Sequence, residues 1–386
     1  MKVNLKQYLL FSSVFAIFTE SFFFHFIIDW KLLYLIIIVN YFILIKTQKI
    51  KINKYFLSLI GVLFIHGVIT NIVVGIPPNY MLAQLIGITI VGVYYYNFIP
   101  LYERKEIISL YLKICLFVAI IGYPMYFLNI NLNDGRLQSI FKEPAHYVVV
   151  VLPSCYYFFK EKKYLNFFIL FGTIILSNSS LGYIGCGLIL LVPNLSLKRI
   201  AYLTALIPFV VGAFLYMYQE YPFFKMRVED TYESLNVINT GKFKEDTNLS
   251  SYALISNLHV AKRNLSDHPF GTGIGSHLYM HTNVYGKEMR APEYLIKQKL
   301  HTTNATDANS MLTRILSELG LLGLLIIIGT FFYMFKTFSS KELHFAQGIV
   351  IYIILKLIRD GHYFPPEFYF FVWILYYDLK EYLSNR

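Results

Sequence analysis

The chain has 386 residues, of which 56% are hydrophobic, 18% aromatic and only 15% charged. Many of its apolar runs reach the ~20 residues that cross a hydrocarbon core, which excludes a soluble globular protein. The net charge of +11 mostly reflects basic residues in the loops between these runs. It therefore does not indicate a nucleic-acid partner.

The apolar runs predict an all-α polytopic membrane protein, because they lack the alternation of a β-barrel and a backbone in lipid must bond within helices. About twelve transmembrane helices are predicted. In chain order they cover residues 7–28, 31–45, 55–75, 81–100, 107–128, 146–159, 165–177, 181–193, 200–217, 309–335, 344–358 and 366–379. The pair 165–177 and 181–193 is short, so a re-entrant hairpin is an alternative there, as it is for the segment containing Pro153.

A long polar stretch interrupts the series of helices. Residues 218–308 contain ten of the lysines and arginines, and they separate the helices of residues 1–217 from those of residues 309–386. We predict that residues 218–308 form a large loop outside the membrane, and we expect the chemistry of the protein there.

The short loops predict the orientation of the chain. Alternate loops, beginning with that of Lys2 and Lys6, contain 17 lysines and arginines, whereas the opposite short loops contain 4. Since positive residues stay on the cytoplasmic side, both termini are predicted to be cytoplasmic and the 218–308 loop periplasmic. Glu20 and several phenylalanines stand where a signal peptide would have small residues, so the first span is predicted to be retained.

Metal and cofactor sites are not predicted. The three cysteines lie far apart within predicted helices, which disfavours a disulfide or a zinc site. No Asp-x-Asp sequence is present, which disfavours a metal-dependent sugar transferase carrying that motif.

Two short outer segments contain candidate ligands for an anionic substrate. The first includes Arg136, Glu143 and His146, with Pro144 at a helix start that leaves backbone N–H groups free. A guanidinium offers a planar fork suited to phosphate oxygens, although an Arg136–Glu143 pair that fixes the loop is an equally simple interpretation.

The second outer segment follows the next-to-last predicted helix and contains Arg359, His362 and Tyr363. Arg359 at this helix end is a candidate phosphate ligand, or else a side chain that snorkels to the interface.

The polar loop ends in two features that point to chemistry. A glycine-rich stretch, Gly271-Thr-Gly273-Ile-Gly275, is followed by residues 301–309 at the mouth of the next helix. Within that helix Arg314 and Glu318 are four residues apart, so they can pair on one face, but charges in a membrane helix are also functional candidates.

Together these segments resemble the signature of bacterial O-antigen polymerases and O-antigen ligases. The resemblance rests on Pro269-Phe-Gly271-x-Gly273-x-Gly275, Asn309-x-x-Leu312-x-x-Leu316-x-Glu318-Leu-Gly320-Leu-Leu-Gly323, Arg136 with Glu143-Pro144, Ser179-Ser180-Leu-Gly182, and Arg359-x-Gly361-x-Tyr363. It extends to the whole architecture, including the large loop before the last helices. One position departs from the family: Ala308 stands where a histidine often precedes the asparagine.

The resemblance implies a metal-independent glycosyltransferase of the C-type membrane fold in the bacterial inner membrane. Its substrates would be undecaprenyl-diphosphate-linked oligosaccharides, and a chain-length regulator and a flippase of the same pathway would be its partners. Arg136 and Arg359, with Arg290, would bind the diphosphate and stabilise its charge as it leaves. His301, favoured over Asp307, would accept the proton of the acceptor hydroxyl beside Asn309.

The sugar-binding set implied by the resemblance adds side chains from several helices. Its members are Glu143, His146, Arg314, Glu318, His362 and Tyr363. A ligase, a flippase or other transporter of the same lipid-linked sugars, and a noncatalytic membrane protein remain alternatives to a polymerase.

Overall fold

A computed structural model of the protein describes residues 4–26, 28–130, 135–192 and 207–385. The described residues form a helical protein with one small β-hairpin. The elements are α1 (Leu5–Ala16), β1 (Phe23–Phe26), β2 (Ile28–Lys31), α2 (Leu32–Thr47), α3 (Lys54–Val74), α4 (Asn79–Phe98), α5 (Arg104–Phe127), α6 (Pro144–Lys160), α7 (Tyr164–Leu176), α8 (Ser180–Leu191), α9 (Ile207–Glu220), α10 (Pro222–Thr240), α11 (Leu249–Asp267), α12 (Met311–Met334), α13 (His344–Ile358) and α14 (Pro366–Ser384). Shorter helical turns cover Ile99–Leu101, His277–Tyr279, Met280–Val284, Tyr285–Lys287, Glu293–Lys297, Phe335–Ser339 and Lys341–Leu343.

The helical surface has the apolar character of a membrane protein. By length and composition, 4 helices of the described chain can cross a membrane: Lys54–Val74, Asn79–Leu101, Arg104–Phe127 and Met311–Ser339. On the first of these Ile72 and Val73 are 77% and 76% exposed. A helix surface with such exposed large aliphatic side chains is stable in contact with lipid rather than with water.

The prediction of one helix over residues 7–28 is wrong. Helix α1 ends at Ala16, the Thr19 hydroxyl bonds the Ala16 carbonyl, and an antiparallel hairpin pairs Phe23 with Lys31. Aromatic residues favour extended strands, and the polar residues Thr19, Glu20 and Ser21 leave the helix no apolar continuation. Because the helix ends at Ala16, Glu20 does not lie on a lipid-facing helix.

The short pair α7 and α8 has 13 and 12 residues, which correspond to helix lengths of about 20 and 18 Å. Both are shorter than the hydrocarbon core of about 30 Å, as the re-entrant interpretation requires. By contrast, α6 continues past Pro153 over 17 residues. It packs closely on α13, since a Cβ at Gly348 would lie 2.8 Å from the Pro153 carbonyl oxygen.

The polar segment 218–308 is a folded unit rather than an extended loop. Helices α10 and α11 and the turns that follow enclose their own hydrophobic core, distinct from that of the helix bundle. Its buried members are Ile76, Val237, Phe243, Tyr252, Ile255, Val260, Met280, Tyr285, Met289 and Leu295. Ile76, at the end of α3, joins this core to the bundle, and α11 packs against α12.

Candidate functional site

The glycine-rich stretch docks onto a break in helix α12. Gly320 has φ 57° and ψ −138° within that helix, a conformation that only glycine adopts readily. The break frees backbone groups, and the stretch satisfies them: the Gly273 N–H donates to the Glu318 carbonyl at 2.8 Å, and the Leu321 N–H donates to the Pro269 carbonyl at 2.9 Å. A Cβ at Gly271 would lie 2.3 Å from the Glu318 carbonyl oxygen, so the close approach requires glycine on both sides.

The Glu318 side chain lies beneath this junction and is fully buried. Its Oε2 accepts the Gly275 N–H at 2.8 Å, and its Oε1 accepts the His277 N–H at 3.3 Å and the Arg314 Nε–H at 2.9 Å. A buried carboxylate is stable only when it is paired and bonded in this way. The predicted Arg314–Glu318 pair is therefore confirmed.

Arg314 extends this network to the segment between α13 and α14. Its Nη1 donates to the Gly361 carbonyl at 2.9 Å, and its guanidinium lies 4.2 Å from the centre of the Tyr363 ring. Arg314 is only 2% exposed. Since its donors serve Glu318 and the backbone, we interpret Arg314 and Glu318 as positioning residues rather than direct ligands of a substrate.

An acidic and histidine cluster lies where the mouth of α12 meets the segment between α13 and α14. Ligand atoms of Asp307, Asp360 and His362 all lie within 4.8 Å of one another, and the His362 Nε2 is 3.9 Å from the Asp307 Oδ2. A Cβ at Gly361 would lie 1.8 Å from the Asp307 carbonyl oxygen, so glycine is required for this approach. His362 is 52% exposed and thus faces the outside of the protein.

Electrostatics distinguish the members of this cluster. Burial by itself raises the pKa of Asp360, but nearby positive charge, above all the Lys356 ammonium, holds it well below its usual value. The Lys356 Nζ donates to the Asp360 Oδ2 at 2.5 Å. For His362, desolvation by the surrounding protein lowers the pKa, and the opposing carboxylates of Asp360 and Asp307 do not reverse this. His362 is therefore neutral at pH 7 and can accept a proton.

This cluster also has the spacing of a divalent-cation site, with two carboxylates and one imidazole. The Lys356 ammonium already bonds Asp360, which offsets the charge that a cation would neutralise. The residues are thus arranged as a charge network around an Asp–His pair.

Two residues that the sequence analysis did not select as candidates, Glu20 and Lys31, add to the site through His146. The Glu20 Oε2 lies 2.7 Å from the His146 Nδ1, and its Oε1 lies 3.5 Å from the Lys31 Nζ. Glu20 and His146 both interact electrostatically with Asp360, so this second group adjoins the first. The sequence offered one signal for these residues: Glu20 and Lys356 are charged side chains within apolar segments, which makes them functional candidates.

Asn309, at the mouth of α12, has an unusual environment. Its backbone φ is 59°, its Oδ1 accepts from Asn304 Nδ2 at 2.9 Å, and its N–H donates to the Asp307 Oδ1 at 3.1 Å. Its Nδ2 is buried without a hydrogen-bond partner within the described residues. This amide therefore keeps an unused donor next to Asp307.

Of Glu143 and the arginines predicted to bind the diphosphate, only Arg359 lies next to this cluster. The Arg136 Nε donates to the Ser177 carbonyl at 3.3 Å, in the turn between α7 and α8, and Glu143 is exposed at the start of α6. Arg359 is partly exposed at the end of α13, beside the cluster. Arg290 is exposed in the polar segment, where its backbone bridges Lys242.

His301, predicted to be the base, belongs to a group of histidines inside the polar segment. It influences the titration of His281, as does His259, while the His277 and His281 rings are 6.3 Å apart. Burial, followed by His301 and His259, lowers the pKa of His281 to about 4. Burial, followed by His281 and Arg314, lowers the pKa of His277 well below its usual value.

Comparison with known proteins was consistent with the sequence motifs. Residues 165–328 match the family model described as O-antigen ligase, a region that runs from α7 through the polar segment to α12 and includes the glycine junction and Glu318. No curated protein matches the chain. The match covers less than half of the chain, and it supports the resemblance to O-antigen polymerases and ligases that the sequence motifs indicate.

Proposed function

We propose that the protein is a polysaccharide polymerase that joins undecaprenyl-diphosphate-linked oligosaccharide repeat units at the periplasmic face of the bacterial inner membrane. The observation that carries this proposal is the Asp307–His362 pair, in which His362 is exposed and Asp307 is largely buried, held by the buried Arg314–Glu318 network. An exposed base beside the membrane can accept the proton of an acceptor hydroxyl when glycosyl transfer joins two lipid-linked chains.

In the proposed reaction the acceptor hydroxyl attacks the anomeric carbon of the donor sugar. The new C–O bond forms as the bond between that carbon and the diphosphate oxygen breaks, and the diphosphate leaves with the electron pair. A ring nitrogen of His362 accepts the hydroxyl proton, and Asp307 orients the ring and stabilises the imidazolium that forms.

This assignment moves the proposed base from His301 to His362, because His301 lies with the interior histidines of the polar segment. The test compares His362→Ala, Asp307→Asn and His301→Ala in purified protein given lipid-linked repeat units. We expect His362→Ala to lower the polymerisation rate by about 10²–10⁴-fold, with a smaller loss for Asp307→Asn. Wild-type rates in both variants, at matched protein levels, would remove the pair from the reaction.

The diphosphate is proposed to bind Arg359, at the end of α13, and Arg136, at the turn between α7 and α8. Replacing arginine by lysine retains the charge and loses the planar fork. We therefore expect Arg359→Lys to reduce activity strongly, while Arg263→Lys, at an arginine that pairs with Glu288 in the polar segment, serves as a control. Unchanged activity of both Arg136→Lys and Arg359→Lys would contradict the diphosphate assignment.

The proposed orientation, with twelve membrane helices and cytoplasmic termini, can be tested by labelling. The three native cysteines are buried, so single cysteines at Asn236 and Asn385 would report accessibility. An impermeant thiol reagent is expected to label Asn236→Cys alone when the cytoplasmic membrane is intact. Labelling of Asn385→Cys alone would reverse the topology.

A ligase is the second candidate, because the matching family model is described as O-antigen ligase. The two activities differ in the acceptor: a polymerase extends a lipid-linked repeat unit, whereas a ligase transfers the finished chain to another lipid. Offering both acceptors to the purified protein and resolving products by length distinguishes them. The proposed partners in the cell are a flippase and a chain-length regulator of the same pathway.

A further inference from the structure

A large cleft opens at the end of the helix bundle opposite the candidate site. Its volume is about 1250 Å³, and it lies between the start of α5, the α6–α7 connection, the turn before α13 and the end of α14. Three helices run from the site to the cleft: α6 from His146 to Lys160, α13 from Lys356 back to His344, and α14 from Glu367 to Ser384. The cleft is therefore on the face predicted to be cytoplasmic.

The lining combines apolar and charged side chains. Ile108, Leu112, Leu116, Phe158 and Phe345 provide an apolar wall. The charged members are five lysines or arginines and five carboxylates: Arg104, Lys105, Lys113, Lys163, Lys341, Glu103, Glu161, Glu342, Asp378 and Glu381. The formal charge of the lining is thus balanced, and the pairing decides which charges remain available.

The ion pairs leave lysines of the lining unpaired within the described chain, and also the carboxylates of Glu103 and Glu342. Arg104 bonds both Asp378 and Glu381, and Glu161 lies 2.7 Å from the His344 Nδ1. Lys105, Lys113 and Lys341 are exposed and have no ion pair with the part of the chain that the structure describes. An amphiphile with a negative headgroup would complement both these lysines and the apolar wall.

The depth of Lys113 favours a lipid as that ligand. It lies nine residues after Arg104 in α5, which places it about 13 Å further along the helix axis. An ammonium at that depth in lipid is costly unless it meets water or an anion. A phosphate headgroup drawn into the cleft supplies the anion, while the acyl chains follow Leu112 and Leu116 out to the bilayer.

We propose that this cleft binds the phosphate headgroup of an anionic phospholipid of the cytoplasmic leaflet. Basic pockets between helices on that side recognise such headgroups, because anionic lipids are abundant there. The cleft is far from the candidate site, so lipid binding is independent of the proposed polymerase activity.

Native mass spectrometry of the purified protein tests the proposal with dioleoylphosphatidylglycerol and, as the neutral comparison, dioleoylphosphatidylcholine. We expect preferential binding of the anionic lipid, weakened about fivefold by Lys113→Gln, which is the loss expected for about 1 kcal/mol per lysine near a membrane surface. Lys113→Arg should restore binding, and this excludes misfolding as the cause of the loss. Lys46→Gln, an exposed lysine outside the cleft, should bind as the wild type does.

Three results would overturn the proposal. The first is equal binding of the two lipids, and the second is unchanged affinity in both Lys113→Gln and Lys341→Gln. The third is displacement of the lipid by millimolar inorganic phosphate, which would assign the cleft to a soluble phosphate compound instead.

Discussion

The buried histidines of the polar segment predict that its stability falls in acid. His281 is only 2% exposed, and neither ring nitrogen has a hydrogen-bond partner among the described residues. With a folded pKa of about 4 against an ordinary value of about 6.5, its unfolded form binds more protons between these limits. Stability therefore rises with pH across this window and is lost as pH falls through it.

The size of the effect follows from the shift. His281 alone should cost about 2 kcal/mol at pH 5 and about 3 kcal/mol below pH 4, relative to pH 7.5. Replacing it by leucine removes the titration without leaving a new unpaired group, because its nitrogens bond nothing in the described structure. We expect His281→Leu to be nearly neutral at pH 7.5 and to be more stable than the wild type by about 2 kcal/mol at pH 5.

The assay is proteolysis of the polar segment in detergent-solubilised protein, at pH 7.5 and pH 5, with a protease active at both. His268→Leu is the matched control, since this histidine lies at the end of α11 and is partly exposed. The His268→Leu control should lose protection from proteolysis at pH 5 to the same extent as the wild type. Equal loss of protection at pH 5 in His281→Leu and the wild type would refute the assignment of acid sensitivity to this side chain.

Three further predictions concern the junction and the acidic cluster. Gly320→Ala should destabilise the protein by more than about 2 kcal/mol in thermal melts, because a Cβ would lie 2.1 Å from the Pro269 carbonyl oxygen; Gly329→Ala, with open space on the same helix, should be neutral or slightly stabilising. Glu318→Gln should cost about 3–5 kcal/mol by leaving the Arg314 charge buried and unpaired, and the double variant with Arg314→Leu should recover part of that loss; additive losses would argue against coupling. Polymerisation should persist in excess EDTA, since the Lys356 ammonium already balances Asp360 in the cluster, and loss of activity that Mg²⁺ restores would identify a metal site instead.

Much of the helix order was predictable from the sequence. Predicted spans 55–75, 107–128 and 344–358 correspond to α3, α5 and α13 within three residues at each end, because a membrane helix needs a long uninterrupted apolar run. Charge context also identified Glu318 and the 359–363 segment as candidates. The break after Ala16 was missed, since hydropathy does not distinguish a helix from an aromatic hairpin.

The composition of the site depended on tertiary structure. Glu20 meets His146 across 126 residues, and Gly275 meets the Glu318 carboxylate across 43 residues. Hydropathy is a local property and fixes which segments become helices, whereas their ends are brought together by packing and by the need to pair buried charges. For this reason the sequence by itself determined a helical membrane protein and a set of polar segments, and only the fold placed the His362 Nε2 3.9 Å from the Asp307 Oδ2.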